Sequence, residues 1–481
     1  MTDAVVAQRE AWKARETLAE QLMPLIGHLY REYGVITSIH GRRLINQSPI
    51  GVIKAHRYAQ HVTGSVLPLE RTKEVLDALL TLDPAPASLD IARLLSDFEE
   101  HAGGEGTLVD YLRNVLGPAR SGDTVGTDVV LYGFGRIGRL VARILISHAG
   151  NGAGLHLRAI VVRRGGENDL IKRASLLRRD SVHGPFDGTI SVDPEANTIL
   201  ANGTLIQVIY ADDPGEIDYT AYGISDAIVV DNTGRWRDEA GLAQHLRSTA
   251  VARVLLTAPG KGSLLNVVHG INHELIGPDD RIVTAASCTT NAITPVLKVL
   301  HDEFGVVHGH VETVHAFTND QNLIDNFHRG DRRGRSAALN MVITETGAAK
   351  AVAKALPALD GKLTGNAIRV PTPDVSMAIL HLRLERATTR EELNDFLRTT
   401  SLHSSLRKQI DYIESPEVVS TDFIGSHRAG IVDGLATICT GDTAIVYVWY
   451  DNEYGYSSQV VRVLETMVGT HPAVLPERVA V

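Results

Sequence analysis

Cys288 lies in the segment AASCTTNAITP, between hydroxyl residues and just before an amphipathic stretch. The apolar residues behind it recur at helical spacing: Ile293, Val296, Leu297, Leu300 and Phe304. The cysteine is therefore expected at a helix N terminus, where backbone N–H groups and the helix dipole lower a thiol pKa and can hold an oxyanion. Structural cysteines more usually lie within apolar runs, as Cys439 does in LATICTG. Cys288 is read as a nucleophile rather than a packing residue, and His315 in ETVHAFTND is the candidate base.

A glycine pattern in VVLYGFGRIGRLVARIL indicates a dinucleotide site. Gly133, Gly135 and Gly138 fit G-x-G-x-x-G, in which the glycines allow a tight turn, close approach of the pyrophosphate and close helix packing. The helix N terminus would then face the phosphates. The motif follows a predicted strand and opens a predicted helix, which is the context that dinucleotide binding requires.

The next predicted strand, LHLRAIVVRRGG, ends without the acid that usually binds the adenosine ribose in an NAD site. It ends instead in Val162, Arg163 and Arg164. Guanidinium groups bind phosphate bidentately, so the two arginines favour the 2′-phosphate of NADP over NAD. The alternative, that the pair only ends a solvated loop, stays open.

The elements that must position these residues begin near Thr127. From there strands alternate with helices, which predicts an α/β fold with a doubly wound parallel sheet. Residues 1–120 have helical periodicity instead, with Pro24 expected to kink or end the first helix and Ser88 expected to cap a later one. This part is predicted to be a helical packing or oligomerisation module, joined to the rest by the linker GPARSGDTVGT.

Composition excludes several classes of protein. Apolar residues make up 44% and charged residues 22% of the 481 residues, as in ordinary globular proteins of about three domains. A net charge of −10 gives no reason to expect nucleic acid or an acidic membrane as a partner. Two cysteines form no disulfide framework, and no signal peptide or membrane span is present. These features predict a cytoplasmic protein, and no metal site is predicted.

At this point the chain resembles a known family, the phosphorylating glyceraldehyde-3-phosphate dehydrogenases. The matching segments are YGFGRIGR, DSVHG, ASCTTN, TVHAFTNDQNLID, TGAAKAV, RVPTP, STDFIG and WYDNEYGYS, in the family's order. The resemblance implies a Rossmann domain over 127–287, an α+β catalytic domain over 288–451 and a C-terminal helix over 452–481 that returns to the Rossmann domain. It leaves residues 1–120 outside as an N-terminal extension, and it implies a homotetramer.

The resemblance also implies a reaction. Cys288 would attack the aldehyde carbon of glyceraldehyde 3-phosphate, and His315 would act as general base during hydride transfer to NAD(P). Inorganic phosphate would then attack the thioester and release 1,3-bisphosphoglycerate. The alternatives are an erythrose-4-phosphate dehydrogenase, a semialdehyde dehydrogenase or acyl-phosphate reductase, and a cofactor-bound regulatory protein that uses its extension.

Further residue roles follow only from the resemblance. Cofactor contacts are assigned to Gly133, Gly135, Arg136, Ile137, Gly138, Thr233, Gly234, Ser287, Asn452 and Tyr456, with Asn452 on the nicotinamide carboxamide. Substrate or phosphate contacts are assigned to Ser287, Thr289, Thr318, Arg333, Thr346, Gly347 and Arg369. Two positions depart from NAD-dependent members, which carry an acid at Val162 and a proline at Phe327. Both departures favour NADP.

Overall fold

The computed structural model describes residues 3–101, 106–117, 126–149, 154–469 and 473–476. The chain forms two compact units, the first comprising Met1–Gly126, Ala149–Gly154 and Thr470–Val481, and the second Thr127–His148 and Leu155–Gly469. Most of the predicted linker GPARSGDTVGT lies outside the described residues. Within the described residues, no helix has both the length and the hydrophobicity that crossing a bilayer requires.

The first unit begins with one long helix. Its elements are α1 (Asp3–Tyr33), β1 (Ile36–Ile39), β2 (Arg42–Arg43), α2 (Pro49–Thr63), α3 (Leu69–Leu80), β3 (Ala87–Asp90), α4 (Ile91–His101) and α5 (Leu108–Leu116). α1 does not end at Pro24. Leu22, Ile26 and Leu29 are buried on both sides of the proline, and this packing stabilises the helix despite the backbone hydrogen bond that proline cannot donate.

Short strands accompany the predicted helices in the first unit, and one of them corrects the expected cap at Ser88. Ser88, expected to cap a helix, lies within β3 instead, and α4 begins three residues later. β3 pairs in parallel with β1, and its Leu89 is fully buried. Strands of four residues or fewer carry too little periodicity to be recognised without their pairing partners.

The second unit opens with a Rossmann sheet. Its elements are β4 (Thr127–Tyr132), α6 (Arg136–Ser147), β5 (Leu155–Val162), α7 (Asp169–Arg178), β6 (Arg179–Asp180), β7 (Gly184–Pro185), β8 (Ile190–Asp193), β9 (Thr198–Ala201), β10 (Thr204–Tyr210), β11 (Ala227–Asp231), α8 (Glu239–Leu242), β12 (Val251–Leu256), β13 (Leu265–Asn266) and β14 (Ile282–Thr284). The sheet order is β13-β14-β12-β11-β4-β5-β10-β9-β8, parallel from β13 to β10. Every residue of β11 is buried, as is usual in a parallel sheet covered on both faces.

The strand order reverses between β4 and β11. β5 lies on one side of β4, and β11 and β12 lie on its other side. Doubly wound sheets bind their ligands at such a reversal, outside the carboxyl ends of the strands. Gly133 directly follows β4, and Thr233 lies two residues after β11, so both predicted cofactor residues lie at the edge of this crevice.

The rest of the second unit is built on a mixed sheet. Its elements are α9 (Cys288–Phe304), β15 (Val306–Ala316), β16 (Val342–Glu345), α10 (Ala348–Ala355), β17 (Leu363–Val370), β18 (Ser376–Leu384), α11 (Arg390–His403), β19 (Ile410–Ile413), β20 (Gly430–Asp433), β21 (Ile438–Thr440) and β22 (Thr443–Tyr450). The order is β16-β17-β15-β18-β22-β20-β19, with β21 also paired to β22. α9, α10 and α11 share one apolar core with this sheet. The predicted fold class, a Rossmann sheet followed by an α+β region, is confirmed.

The end of the chain contributes to both units. α12 (Tyr454–Val468) buries Val460, Leu464 and Met467 in the same core as the inner face of α6. The last strand, β23 (Ala473–Leu475), instead joins the sheet of the first unit and pairs in parallel with β3. The expectation that all of 452–481 returns to the Rossmann domain is therefore wrong for these last described residues. The sequence could not indicate this, because the partner strand lies near the other end of the chain.

The β23 pairing predicts that the C-terminal residues stabilise the first unit. Leu475 is 7% exposed and belongs to that unit's core. We expect Leu475→Ala to lower the free energy of unfolding of the first unit by about 3 kcal/mol, from lost burial and an unfilled cavity. Hydrogen exchange of the β3 amides measures this effect. Val66→Ala, at an exposed position of the same unit, should change it by less than about 0.5 kcal/mol. If the β3 amides were equally protected from hydrogen exchange in the Leu475→Ala and Val66→Ala variants, a structural role for β23 would be contradicted.

Candidate active site

Cys288 begins α9 directly after a strained turn. Ala286 has a φ of +52°, in the left-handed region that residues with a side chain rarely adopt. Ser287 then caps the helix, because its Oγ accepts a hydrogen bond of 3.1 Å from the backbone N–H of Thr290. The predicted helix start at Cys288 is confirmed. Backbone strain of this kind costs about 1–3 kcal/mol and concentrates at functional sites.

His315 lies near the end of β15 and faces the thiol. Its Nε2 is 3.5 Å from Cys288 Sγ, within hydrogen-bonding reach of sulfur, and the residue is only 4% exposed. Tyr450 packs edge-on against the imidazole, with ring centroids 6.0 Å apart. The Tyr450 hydroxyl is held by hydrogen bonds to Thr313 at 2.7 Å and Thr289 at 3.0 Å. The structure therefore brings the two predicted catalytic residues together on rigid elements.

Arg369 lies beside His315 on the neighbouring parallel strand β17. The His315 Nδ1 is 2.7 Å from the Ala316 carbonyl oxygen and 2.7 Å from Arg369 Nη1. These two contacts exclude each other as hydrogen bonds, because Nδ1 either donates to the carbonyl or accepts from the guanidinium. A base acting through Nε2 needs its proton on Nδ1, so the carbonyl contact belongs to the reactive tautomer. Arg369 also donates to Ala316 at 3.0 Å and keeps a partner in that state.

Burial determines the protonation of the pair in the free protein. Burial raises the pKa of the Cys288 thiol, while Arg369 and the backbone N–H groups at the start of α9 lower it without reversing the net shift. Burial, with Arg369 adding to it, lowers the pKa of His315 to about 3. Both groups are therefore neutral near pH 7. The expectation of a lowered thiol pKa is wrong here, because burial outweighs the effect of the helix N terminus.

A second cation lies in the loop after β15. Arg333 forms an ion pair with Asp320, whose other oxygen accepts a hydrogen bond from the Thr318 hydroxyl. Among the described residues, the buried Nε atoms of Arg333 and Arg369 have no hydrogen-bond partner. Buried guanidinium donors without acceptors suit an anionic ligand.

The remaining predicted anion-binding residues lie at the N termini of two helices. Thr289 is the second residue of α9, and Gly347 is the N-cap of α10. The Thr346 Oγ1 accepts a hydrogen bond of 3.2 Å from the backbone N–H of Ala348. Helix N termini favour anions through their free N–H groups. α10 packs against α9, so both N termini belong to the catalytic part of the second unit.

The glycine loop after β4 leaves room for a pyrophosphate. Gly133 has a φ of +91°, and a Cβ there would meet the Thr233 side chain at 2.9 Å. A Cβ on Gly138 would lie 2.5 Å from the Gly133 carbonyl oxygen, so α6 could not pack as closely on β4. Gly135 caps α6 without a side chain, and Ile137 packs against the Rossmann core. These positions fit a dinucleotide, as the motif predicted.

The Arg136 side chain forms ion pairs, whereas its backbone is the part assigned to the pyrophosphate. Its guanidinium forms ion pairs with Asp180 at 3.0 Å and with Glu453, so only its backbone is available to a pyrophosphate. His183 lies beside this pair, with Nε2 3.1 Å from Asp374 and 3.0 Å from the carboxylate of Asp451. Burial lowers the pKa of His183, but the nearby Asp374 and Asp451 carboxylates outweigh it and raise that pKa to about 10.

The cluster of His183, Asp374 and Glu453 has metal-ligand chemistry. However, a protonated imidazole cannot ligate a metal, and the Arg136 guanidinium already balances Glu453. The cluster is therefore read as a buried ion network that joins α6 to the segment around Asn452.

The tip of β5 has no acidic side chain. Val162 is buried in the Rossmann core, Arg163 is exposed, and the Arg164 guanidinium lies 4.0 Å from the centre of the Tyr210 ring. Phe327, assigned to the same adenosine end, is 90% exposed, and its described backbone hydrogen bonds stay within its own loop.

The loop after β11 forms the other side of the crevice. Asp231 accepts hydrogen bonds from the backbone N–H and the hydroxyl of Thr233 at 2.8 and 2.6 Å. Its second oxygen is 3.2 Å from His245, and both side chains are fully buried. Gly234 follows with a φ of +61°, which only glycine adopts without strain.

The residues assigned to the nicotinamide end lie between the two sheets of the second unit. Tyr456 donates from its hydroxyl to the Ala286 carbonyl at 3.0 Å, directly before Ser287 and Cys288. The Asn452 Oδ1 accepts a hydrogen bond of 2.7 Å from Ser376. Asn452 and Tyr456 are both buried, and Tyr456 connects α12 to the turn before the nucleophile.

Sequence reasoning missed three residues that hold the site. Tyr450 supports His315 and Thr289, Asp320 pairs with Arg333, and Ser376 bonds to Asn452. Asp320 could have been found, because an acid two residues after Thr318 and near a run of arginines is a visible ion-pair candidate. Tyr450 and Ser376 gave no signal, since their roles depend on the pairing of β18 with β22.

Comparison with known proteins is consistent with this geometry. The family model for the glyceraldehyde 3-phosphate dehydrogenase NAD binding domain matches residues 127–239, and that for the C-terminal domain matches residues 287–452. A relative named glyceraldehyde-3-phosphate dehydrogenase, from Zymomonas mobilis subsp. mobilis, is 40% identical over 71% of this chain and 98% of its own length. The chloroplastic enzyme A of Zea mays is 40% identical over 72% of this chain and 83% of its own.

A further relative extends the similarity to the first unit. A glyceraldehyde-3-phosphate dehydrogenase-like protein of Pseudomonas aeruginosa (strain UCBPP-PA14) is 62% identical over 461 residues, which is 95% of this chain and 100% of the relative. A match of that extent necessarily includes most of residues 1–126. With a Rossmann crevice, a cysteine–histidine pair 3.5 Å apart and matches to both domains, the chain belongs to the glyceraldehyde-3-phosphate dehydrogenase family.

Proposed function

We propose that the protein catalyses the reversible, phosphorylating oxidation of D-glyceraldehyde 3-phosphate to 1,3-bisphosphoglycerate with NAD(P). The observation that carries this proposal is the approach of Cys288 Sγ to His315 Nε2, 3.5 Å apart at the start of α9. Arg369, Arg333 and Thr318 lie around the same histidine and supply donors for a phosphorylated substrate.

Acylation begins with two neutral groups. His315 accepts the thiol proton on Nε2 as Sγ attacks the aldehyde carbon, and it then returns that proton to the former carbonyl oxygen. This yields a neutral thiohemiacetal on Cys288 and leaves Nε2 free to act as a base again. The backbone N–H groups at the start of α9 are donors for the oxygen that gains charge during the attack. Because the site is buried, these donors act in a low dielectric, where they stabilise charge more than they would in water.

Oxidation and phosphorolysis use the same base. The nicotinamide ring, when bound, supplies the hydride acceptor. His315 accepts the hydroxyl proton of the thiohemiacetal as hydride leaves, and the product is a thioester on Cys288. An oxygen of inorganic phosphate attacks the thioester carbonyl and the C–S bond breaks. The acyl phosphate leaves, and the departing Cys288 sulfur takes the proton from His315 Nε2, which restores both groups.

The anion contacts divide into two groups. Arg369, Arg333 and Thr318 form one, and in the free protein Asp320 neutralises Arg333, so an incoming phosphate competes with that carboxylate. Ser287, Thr289, Thr346 and Gly347 form the other, at the N termini of α9 and α10. Two separate groups of donors suit a reaction with a substrate phosphate and an attacking phosphate.

We infer a preference for NADP over NAD. No acid stands at the tip of β5, Arg163 is exposed there, and Arg164 is held over the Tyr210 ring. A guanidinium stacked on an aromatic ring keeps donors at its edge for a phosphate. The replacement of the family's proline by Phe327 adds to this inference.

A homotetramer in the cytoplasm completes the proposal. The loop after β15 exposes large apolar side chains, namely Leu323, Ile324, Phe327, Leu339 and Met341. Clustered exposed apolar residues usually mark a protein interface. A second copy of this chain is the partner that the family's assembly implies.

The reaction is tested by steady-state oxidation of glyceraldehyde 3-phosphate with inorganic phosphate, with NAD and NADP measured side by side. We expect turnover that depends on phosphate, with a higher kcat/KM for NADP, and a loss of at least about 10⁴-fold in Cys288→Ala. Arg163→Ala should lower kcat/KM for NADP by about tenfold and leave that for NAD nearly unchanged, since only the 2′-phosphate loses a contact.

Other outcomes assign the alternatives. Turnover with erythrose 4-phosphate and none with glyceraldehyde 3-phosphate would identify erythrose 4-phosphate as the substrate. No Cys288-dependent turnover with either aldehyde would contradict the proposed reaction and favour a regulatory role. A clear preference for NAD would show that the two arginines only end a solvated turn.

The protonation of the pair is tested by alkylation of Cys288 with iodoacetamide in the free protein. Burial raises the thiol pKa, so the rate should still be rising above about pH 8.5, the ordinary thiol pKa. Arg369→Gln removes a positive charge near the thiol. In this variant the Cys288 pKa should be higher still, and the alkylation rate at pH 8 should be lower. Arg383→Gln, an exposed change elsewhere, should match the unmodified protein. An inflection below about pH 7 would indicate a thiolate–imidazolium pair instead.

Assembly is tested by light scattering. We expect Leu323→Asp combined with Leu339→Asp to reduce the tetramer to smaller species, because two charges would be buried in each interface. Leu275→Asp, at another exposed leucine outside the loop, should leave the molar mass unchanged. An unchanged mass in the double variant would exclude this loop as the interface.

A further inference from the structure

The backbone on both sides of Asn452 is fixed by one carboxylate. Asp451 Oδ1 accepts hydrogen bonds from the N–H groups of Glu453 at 2.9 Å and Tyr454 at 2.6 Å. Its Oδ2 accepts one from Gly425 at 2.8 Å and lies 3.0 Å from His183. The Asn452 main chain therefore has little freedom, and the remaining question is which end of its amide faces a ligand.

Ser376 determines that orientation. Its Oγ accepts a hydrogen bond of 3.1 Å from the backbone N–H of Ala316, and its own proton is donated to Asn452 Oδ1 at 2.7 Å. Ser376 is 1% exposed, so its single hydroxyl proton needs a protein acceptor. Within the part of the chain that the structure describes, the Asn452 oxygen is the acceptor it has. With the oxygen so held, the Asn452 NH₂ group is left for a ligand.

We propose that Ser376 is a positioning residue that directs the Asn452 NH₂ group at the cofactor, so that the site holds the nicotinamide by its carboxamide oxygen. This inference rests on the proposed role of Asn452 at the carboxamide. A turned amide would present its oxygen to the cofactor and leave the Ser376 proton without an acceptor. Because Ser376 is buried, leaving its hydroxyl proton without an acceptor is costly. The Asn452 amide therefore keeps the orientation that points its NH₂ group at the cofactor.

The same hydroxyl connects the cofactor contact to the base. Ala316 directly follows His315 at the end of β15, so one Ser376 oxygen bonds to the strand that carries the base and to the amide that orients the ring. Ser376 itself begins β18, which pairs with β15 and with β22. Displacing the Asn452 amide should therefore disturb hydride-transfer geometry more than overall cofactor affinity.

The experiment compares two cofactor analogues by calorimetric binding to the full-length chain. The 3-acetylpyridine analogue of NADP keeps the carbonyl acceptor and lacks the NH₂ group, whereas the thionicotinamide analogue replaces the oxygen with a weakly accepting sulfur. The NAD analogues are measured in parallel. If Asn452 donates, the unmodified protein should bind the acetylpyridine analogue nearly as well as the parent cofactor and the thio analogue about tenfold more weakly.

Variants separate positioning from stability. Ser376→Ala should reduce the difference between the two analogues to about twofold and lower kcat about tenfold, with a smaller change in the cofactor KM. Ser376→Thr keeps the hydroxyl and should restore the discrimination. Ser401→Ala removes another buried serine hydroxyl, whose hydrogen bond to Arg398 lies within α11, and should leave the analogue ratio unchanged.

The outcomes distinguish this inference from the proposed function. A protein that binds no nicotinamide cofactor would overturn the proposed role of the crevice. Tighter binding of the thio analogue than of the acetylpyridine analogue would mean that the amide is turned, and the inference would be wrong while the dehydrogenase stands. The same would follow if Ser376→Ala kept the full discrimination of the unmodified protein.

Discussion

Desolvation of the Cys288–His315 pair is the constraint on which the site depends. The Cys288 thiol and the buried His315 imidazole lie 3.5 Å apart. Desolvation raises the pKa of the thiol and lowers the pKa of the histidine, so it disfavours both ions. Any charge that forms during a reaction must therefore be stabilised by fixed groups. Those groups are the backbone N–H groups at the start of α9 and the Arg369 guanidinium, which makes the positions of α9 and β17 decisive.

The two sheets of the second unit supply those positions separately. The Rossmann sheet ends at the glycine loop and at the turn before Cys288, whereas β15 and β17 of the mixed sheet carry His315 and Arg369 in register. The nucleophile thus begins the helix that follows the Rossmann sheet, whereas its base lies on a strand of the mixed sheet. Arg136, Glu453 and the buried ion network around His183 connect α6 with the segment that carries Asn452.

The first unit is a distinct domain with its own core and its own sheet. The strand that completes this sheet, β23, comes from the last described residues of the chain. Residues from both ends of the sequence therefore belong to the first unit, so this unit is more than an N-terminal extension. The similarity to the Pseudomonas relative covers 95% of the chain and therefore extends into the first unit.

The sequence by itself determined the α/β fold, the glycine loop, the helix start at Cys288 and the cysteine–histidine candidates, because each depends on local spacing. Only the tertiary structure decided the rest. The pKa of the thiol depends on burial, the partners of Ser376 and Tyr450 depend on strand pairing, and β3 and β23 are too short to show a period. Local patterns specify which element a residue begins or ends. Desolvation and pairing between distant strands arise only when the chain is packed.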